Sequence, residues 1–111
     1  MMKTIAFDNE KAKVVEDAVS KIFDCRVSEI VSLKDTLVKK VVVFILFTSE
    51  NYCARALAVN YQISYLYVPT VVAELEYMKK VVPGFELKIE SVYKELKLKC
   101  NDNYSIRENG Y

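Results

Sequence analysis

Histidine is absent from the 111 residues, and glycine and proline occur only twice each. Without histidine there is no Cys–His pair for nucleophilic catalysis and no mixed Cys/His zinc set. Cys25, Cys53 and Cys100 are odd in number and widely spaced, with no C-x2-C pair. That pattern reads as reduced thiols of a cytosolic protein. No Gly-rich phosphate loop or metal-ligand cluster is present, and no carboxylate pair sits in a recognisable motif, so neither catalysis nor a cofactor is expected. Few glycines and prolines force few turns, which favours helices with short connections. Neither sign of charge dominates: sixteen basic against fifteen acidic residues leave a formal +1. Dedicated DNA-binding domains are clearly basic, so any nucleic-acid contact would have to use a local patch. Met1 to Ile5 carries no basic region followed by a long apolar run, and no signal peptide is expected. The apolar run Val41 to Phe47 is seven residues long, well short of the ~20 needed to span a bilayer. A cytoplasmic location with no membrane partner is expected.

What is present suits a single folded domain. Hydrophobic residues make up 52% and charged residues 28%, enough apolar surface for a core without staples. Asp8-Asn9 offers a capping side chain, and Val15, Ala18, Val19, Ile22 and Phe23 form a helical stripe ending near Asp24. Val27 to Val31 suits one short helical turn, and Thr36 can cap the element running from Leu37 to about Phe47. Taken alone, the β-branched and aromatic run within that element fits a buried strand, and equally a helix buried on most faces. Ala54, Leu57, Ala58 and Tyr61 then repeat at i, i+3, i+4, i+7, a connection follows from Gln62 to Tyr67, and Pro69 suits a helix start. Val71, Leu75, Met78 and Val82 mark the buried side of the next helix. Residues 52–82 therefore scan as a helix-turn-helix. After Val82-Pro83-Gly84, a last amphipathic helix follows Phe85, Ile89, Val92, Tyr93 and Leu96. Residues 1–98 are expected to form one helical domain and 99–111 a C-terminal tail.

With the elements in this order, the chain resembles the C-terminal DNA-binding domain (domain IV) of the bacterial chromosomal replication initiator, DnaA. The first block is Val15-Glu16-Asp17-Ala18-Val19-Ser20-Lys21-Ile22-Phe23-Asp24 with Val27-Ser28-Glu29-Ile30. It looks like that family's opening helix and the short helix after it. The second is the layout downstream: a long helix, a helix-turn-helix ending in a Thr-Val pair at Thr70-Val71, and a closing helix. The likeness covers roughly residues 10 to 98. It implies an all-α, Trp-repressor-like helical bundle, and so implies a helix at residues 37–47. At the family's recognition signature, Arg-Asp-His-Ser/Thr-Thr-Val, this chain carries Leu66, Tyr67, Val68, Pro69, Thr70 and Val71. Glycines of the family's turn correspond to Asn60, Ser64 and Tyr65, of which Asn best takes a left-handed conformation. An Arg of the long helix falls on Val41, beside Lys39 and Lys40. No nucleotide-binding motif accompanies these elements.

Candidate contacts to double-stranded DNA are Lys34, Lys39, Lys40, Arg55, Tyr67 and Thr70. The four basic residues suit phosphates; four such contacts imply a log–log salt slope of roughly −3.6, giving affinity with little selectivity. Equally, they suit a solvated face. Thr70 can donate to a phosphate or base edge, or bond locally to backbone near its helix start. Tyr61, Tyr65 and Tyr67 cluster at the turn, where they can stack on bases for about 1–3 kcal/mol each; otherwise Tyr61 reads as core and the other two as covering a partner or the domain itself. Leu66, Tyr67, Val68 and Pro69 cannot make the bidentate contacts that read guanine or adenine, so binding should rest mainly on phosphates. Glu74 and Glu76 oppose DNA if they face outward. The expectation is thus a replication-initiator-type DNA-binding protein with a degenerate recognition motif. The alternative is a protein-interaction module derived from such a domain, docking through Leu66, Tyr67 and Val68.

Overall fold

A computed structural model describes residues 8–30 and 36–109, with side chains as far as residue 97. All regular structure among the described residues is helical: α1 (Asn9–Phe23), α2 (Val27–Ile30), α3 (Leu37–Ser49), α4 (Ala54–Tyr61), α5 (Val68–Val81) and α6 (Phe85–Asn109). A single 3-10 turn, Tyr65–Tyr67, leads into α5.

Helix α1 begins where the Asp8 carboxylate accepts the backbone N–H groups of Glu10 and Lys11. These are donors with no partner inside the helix. It ends at Asp24, whose left-handed backbone returns an N–H to the Ser20 carbonyl. Between those caps, Val15, Ala18 and Val19 are buried as the stripe requires, and Ile22 and Phe23 pack at its edge.

Helix α3 is the centre of the molecule. It packs against α1, α2, α4 and α5, while α6 closes on α1 and α5. Thr36 caps it by accepting the Lys39 N–H at 3.2 Å. Every residue from Val41 to Leu46 is buried. Three consecutive valines disfavour a helix by about 0.5 kcal/mol each relative to alanine. Burying each side chain among four neighbouring helices returns roughly 1.5–3 kcal/mol. Tertiary burial therefore overrides local β-propensity, and the helical alternative for residues 37–47 is the one observed.

Helix α4 stops at Gln62, where φ is 57° and the backbone N–H reaches the Ala58 carbonyl. The left-handed residue of this turn is thus Gln62 and not Asn60, which lies within α4 and donates its side-chain amide to the Ala56 carbonyl. Ser64 then accepts the Leu66 N–H and opens the 3-10 turn. Pro69 lies in the first turn of α5, where its missing N–H costs nothing. Leu57, Val71 and Leu75 are buried together in the core cluster. Val82 departs from the expected buried side: α5 ends at Val81, and Val82 is extended and exposed. Gly84, at φ +80°, turns the chain into α6. There Phe85 meets Phe23 edge to face at 6.3 Å, and the Lys21 ammonium pairs with Glu95 at 3.1 Å. Helix α6 continues through residues 99–109, the segment set apart in sequence as a tail.

Candidate interaction surface on the fourth and fifth helices

Among the described residues, the expected basic strip is interrupted at Lys39. Lys39 is 1% exposed. On α3 it stands one turn before Val42 and Val43 and two turns before Leu46, so the helical period carries it inward with them. It cannot serve as a phosphate contact. Lys40, one position on, reaches across to α5, where its ammonium meets both Glu74 carboxylate oxygens at 3.1 and 3.3 Å. Its charge is thereby matched locally, and the bridge ties the central helix to the fifth. Lys34 lies outside the described residues.

Arg55 is exposed at the start of α4, with its guanidinium carbon 4.4 Å from the centre of the Tyr65 ring. Such an exposed cation–π contact is worth about 0.5–1 kcal/mol and leaves the donor edges in water. Thr70 is exposed in the first turn of α5, close in sequence to the half-buried Tyr67. Of the described members of the expected set, Arg55 and Thr70 are therefore the exposed ones near the turn.

The apolar docking patch also needs correction. Leu66 is 70% exposed, but Val68 is fully buried, and Tyr67 packs partly against the core. Val68 opens α5 and points with Val71 and Leu75 to the inside. Only Leu66 of the expected trio is fully available to a partner.

A different stripe takes its place. Thr70, Ala73, Tyr77 and Val81 are all exposed on α5. Their spacing puts them on one face, opposite Val71 and Leu75. Tyr77 is 64% and Val81 50% exposed. Glu76 and Lys80 border the stripe on one side, and the Lys40–Glu74 pair borders it on the other. Tyr77 and Val81 lie outside the inward set of Val71, Leu75 and Met78 that marks α5 in the sequence. The same helical period, rotated by half a turn, identifies them.

Tyr61 anchors α4 to α1. Its ring is 1% exposed, and its hydroxyl donates to the Glu16 carboxylate at 2.5 Å. Burial, the Glu16 hydrogen bond and charge, and nearby Tyr52 all push its ionisation well above the usual tyrosine range. The Cys25 thiol is pushed up by burial and by the neighbouring Glu29 and Asp24 carboxylates, which makes it a poor nucleophile. Among the described residues, no group of His, Cys, Asp and Glu is arranged to hold a metal ion, and no helix is long and apolar enough to cross a membrane. No protein-family profile, curated protein or solved structure matches the chain.

Proposed function

We propose that this chain is a Trp-repressor-like helix-turn-helix domain of the replication-initiator type whose outer α5 face docks a protein instead of reading bases. The observation that carries this reading is the character of that face. Leu66, Ala73, Tyr77 and Val81 present apolar and aromatic surface. Lys39 is buried, and the Lys40 charge is matched by Glu74. Exposed aromatic and aliphatic groups rimmed by charges are the composition of protein interfaces. A DNA reader needs bidentate donors in this first turn and basic groups along the flanking path.

A second reading keeps nucleic acid as the partner, and the exposure of Arg55 and Thr70 beside the turn favours it. Under it, binding rests on phosphates, with little preference among sequences. Fluorescence anisotropy separates the two, using labelled duplexes with and without initiator-type boxes at about 20 and 150 mM salt. Protein docking expects no saturable binding to either duplex. Equal binding of both duplexes at low salt, weakened by Arg55→Ala and lost at high salt, selects the phosphate reading. Discrimination between duplexes that survives the higher salt overturns both.

A further inference from the structure

We propose that the partner is a second copy of this chain, with α5 pairing antiparallel against α5 about a two-fold axis beside Tyr77. The proposal rests on the protein-docking reading and names its occupant. Three features of the α5 face support it.

The first is shape and polarity. Ala73, Tyr77 and Val81 form an exposed stripe at helical spacing. In an antiparallel pair centred at Tyr77, Ala73 lies opposite Val81 of the second copy. The small alanine leaves room for the branched valine, and the two Tyr77 rings meet at the axis. Thr70 lies towards the ends of the contact, where its hydroxyl keeps access to water.

The second feature is charge. Glu76 and Lys80 lie on the same flank of the stripe, four residues apart. Antiparallel helices bring like flanks together with reversed direction, so Glu76 of each copy comes beside Lys80 of the other. The pairing thus forms two equivalent charge contacts, as an isologous interface requires. A parallel two-fold arrangement instead sets this flank against the opposite, Lys40–Glu74 flank of the other copy, so Glu76 and Lys80 make no reciprocal contacts. Within one chain Glu76 meets Lys79 at 3.4 Å. That pair is exposed and holds Glu76 only weakly. The opposite flank carries the Lys40–Glu74 pair, which adds no net charge.

The third feature is the whole-chain balance. A formal charge of +1 gives two copies little mutual repulsion. The contact is small: fourteen residues of helix span about 21 Å. Association should accordingly be weak and reversible.

The test is sedimentation velocity of the full chain from about 5 to 300 μM, a range suited to so small a contact. The expected result is a concentration-dependent shift from monomer to dimer. Glu76→Lys and Lys80→Glu should each weaken the dimer by about tenfold or more, since like charges then face each other across the interface. The double variant carrying both exchanges should restore it. Both substitutions are on exposed residues, and circular dichroism of each of the three variants checks that the helices are intact. A chain that stays monomeric throughout overturns the self-pairing, as does a dimer indifferent to the single exchanges or one that the double variant fails to restore. Those failures leave protein docking standing, because only the duplex titration described above removes it.

Discussion

Replacing Tyr61 with phenylalanine removes one oxygen and tests how α4 is held to α1. The ring is buried and should keep its place, so the change isolates the hydroxyl that donates to Glu16 at 2.5 Å. A hydrogen bond to a charged acceptor contributes about 1.5–3 kcal/mol. Glu16 is only half-buried and can regain water when the hydroxyl is lost, so the lower end applies: about 1.5 kcal/mol at pH 7. For a domain of this size that is a fall in Tm of about 6–12 °C.

The pH dependence supplies the sharper half of the prediction. In the folded protein Tyr61 ionises well above its ordinary value, chiefly because it is buried. The folded state thus keeps its proton at pH values where the unfolded chain releases it. The stabilising contribution is complete below pH ~10 and declines above it, by about 1.4 kcal/mol for each further unit. Phenylalanine has no proton to lose, so the variant lacks this decline. The stability gap between the two proteins, about 1.5 kcal/mol at pH 7, should close near pH 11. Urea unfolding of both proteins from pH 7 to 11, followed by far-UV circular dichroism, measures the gap directly. A gap that stays constant or widens above pH 10 would refute the reasoning, because the Tyr61 proton would then not be held by the fold.

Leu75→Ala should cost about 2–5 kcal/mol by losing transfer energy and leaving a cavity against α3; urea unfolding showing a loss below about 1 kcal/mol would put Leu75 outside the core. Gly84→Ala should destabilise by about 1 kcal/mol, because φ +80° strains any side chain although the space around it is open; an unchanged thermal midpoint would contradict this. Glu74→Gln should lower stability by about 0.5–1 kcal/mol by breaking a partly exposed ion pair, and 1 M salt should shrink the difference. Lys39→Ala should disturb folding rather than association, seen as a lower urea midpoint with no change in the salt dependence of any binding.

Much of the helix order was legible because the inward residues obey a single period. Val15, Ala18 and Val19 on α1, and Phe85, Ile89 and Val92 on α6, sit where that period puts them. Thr36 caps α3 as its position suggested. The α3 run was ambiguous because Val41 to Leu46 satisfies two patterns, and only the surrounding helices choose between them. Lys39 was misplaced because its charge suggested solvent, although its spacing to Val42, Val43 and Leu46 marked the inner face. Val68 was expected on the docking patch beside Leu66 and Tyr67, but it is the first residue of α5 and already turned inward. The Lys40–Glu74 bridge joins residues 34 positions apart, a separation on which no local pattern bears. Gln62 takes the left-handed position because α4 ends at Tyr61 and the residue that follows caps it, which leaves Asn60 inside the helix although composition alone favoured the asparagine.

The central helix also sets how this protein fails. Val41 to Leu46 is helical only while other helices surround it; released into water, the same six residues form a β-branched, uncharged segment with no proline. Such a segment is prone to stack with its copies in other chains. Opening the bundle therefore exposes a self-templating strand at its centre, so that unfolding and aggregation become consecutive steps. Thermal scans at high protein concentration should be irreversible, with an apparent midpoint that moves with scan rate. Dilute urea unfolding, in which the exposed segment stays solvated, should return fully to the native state.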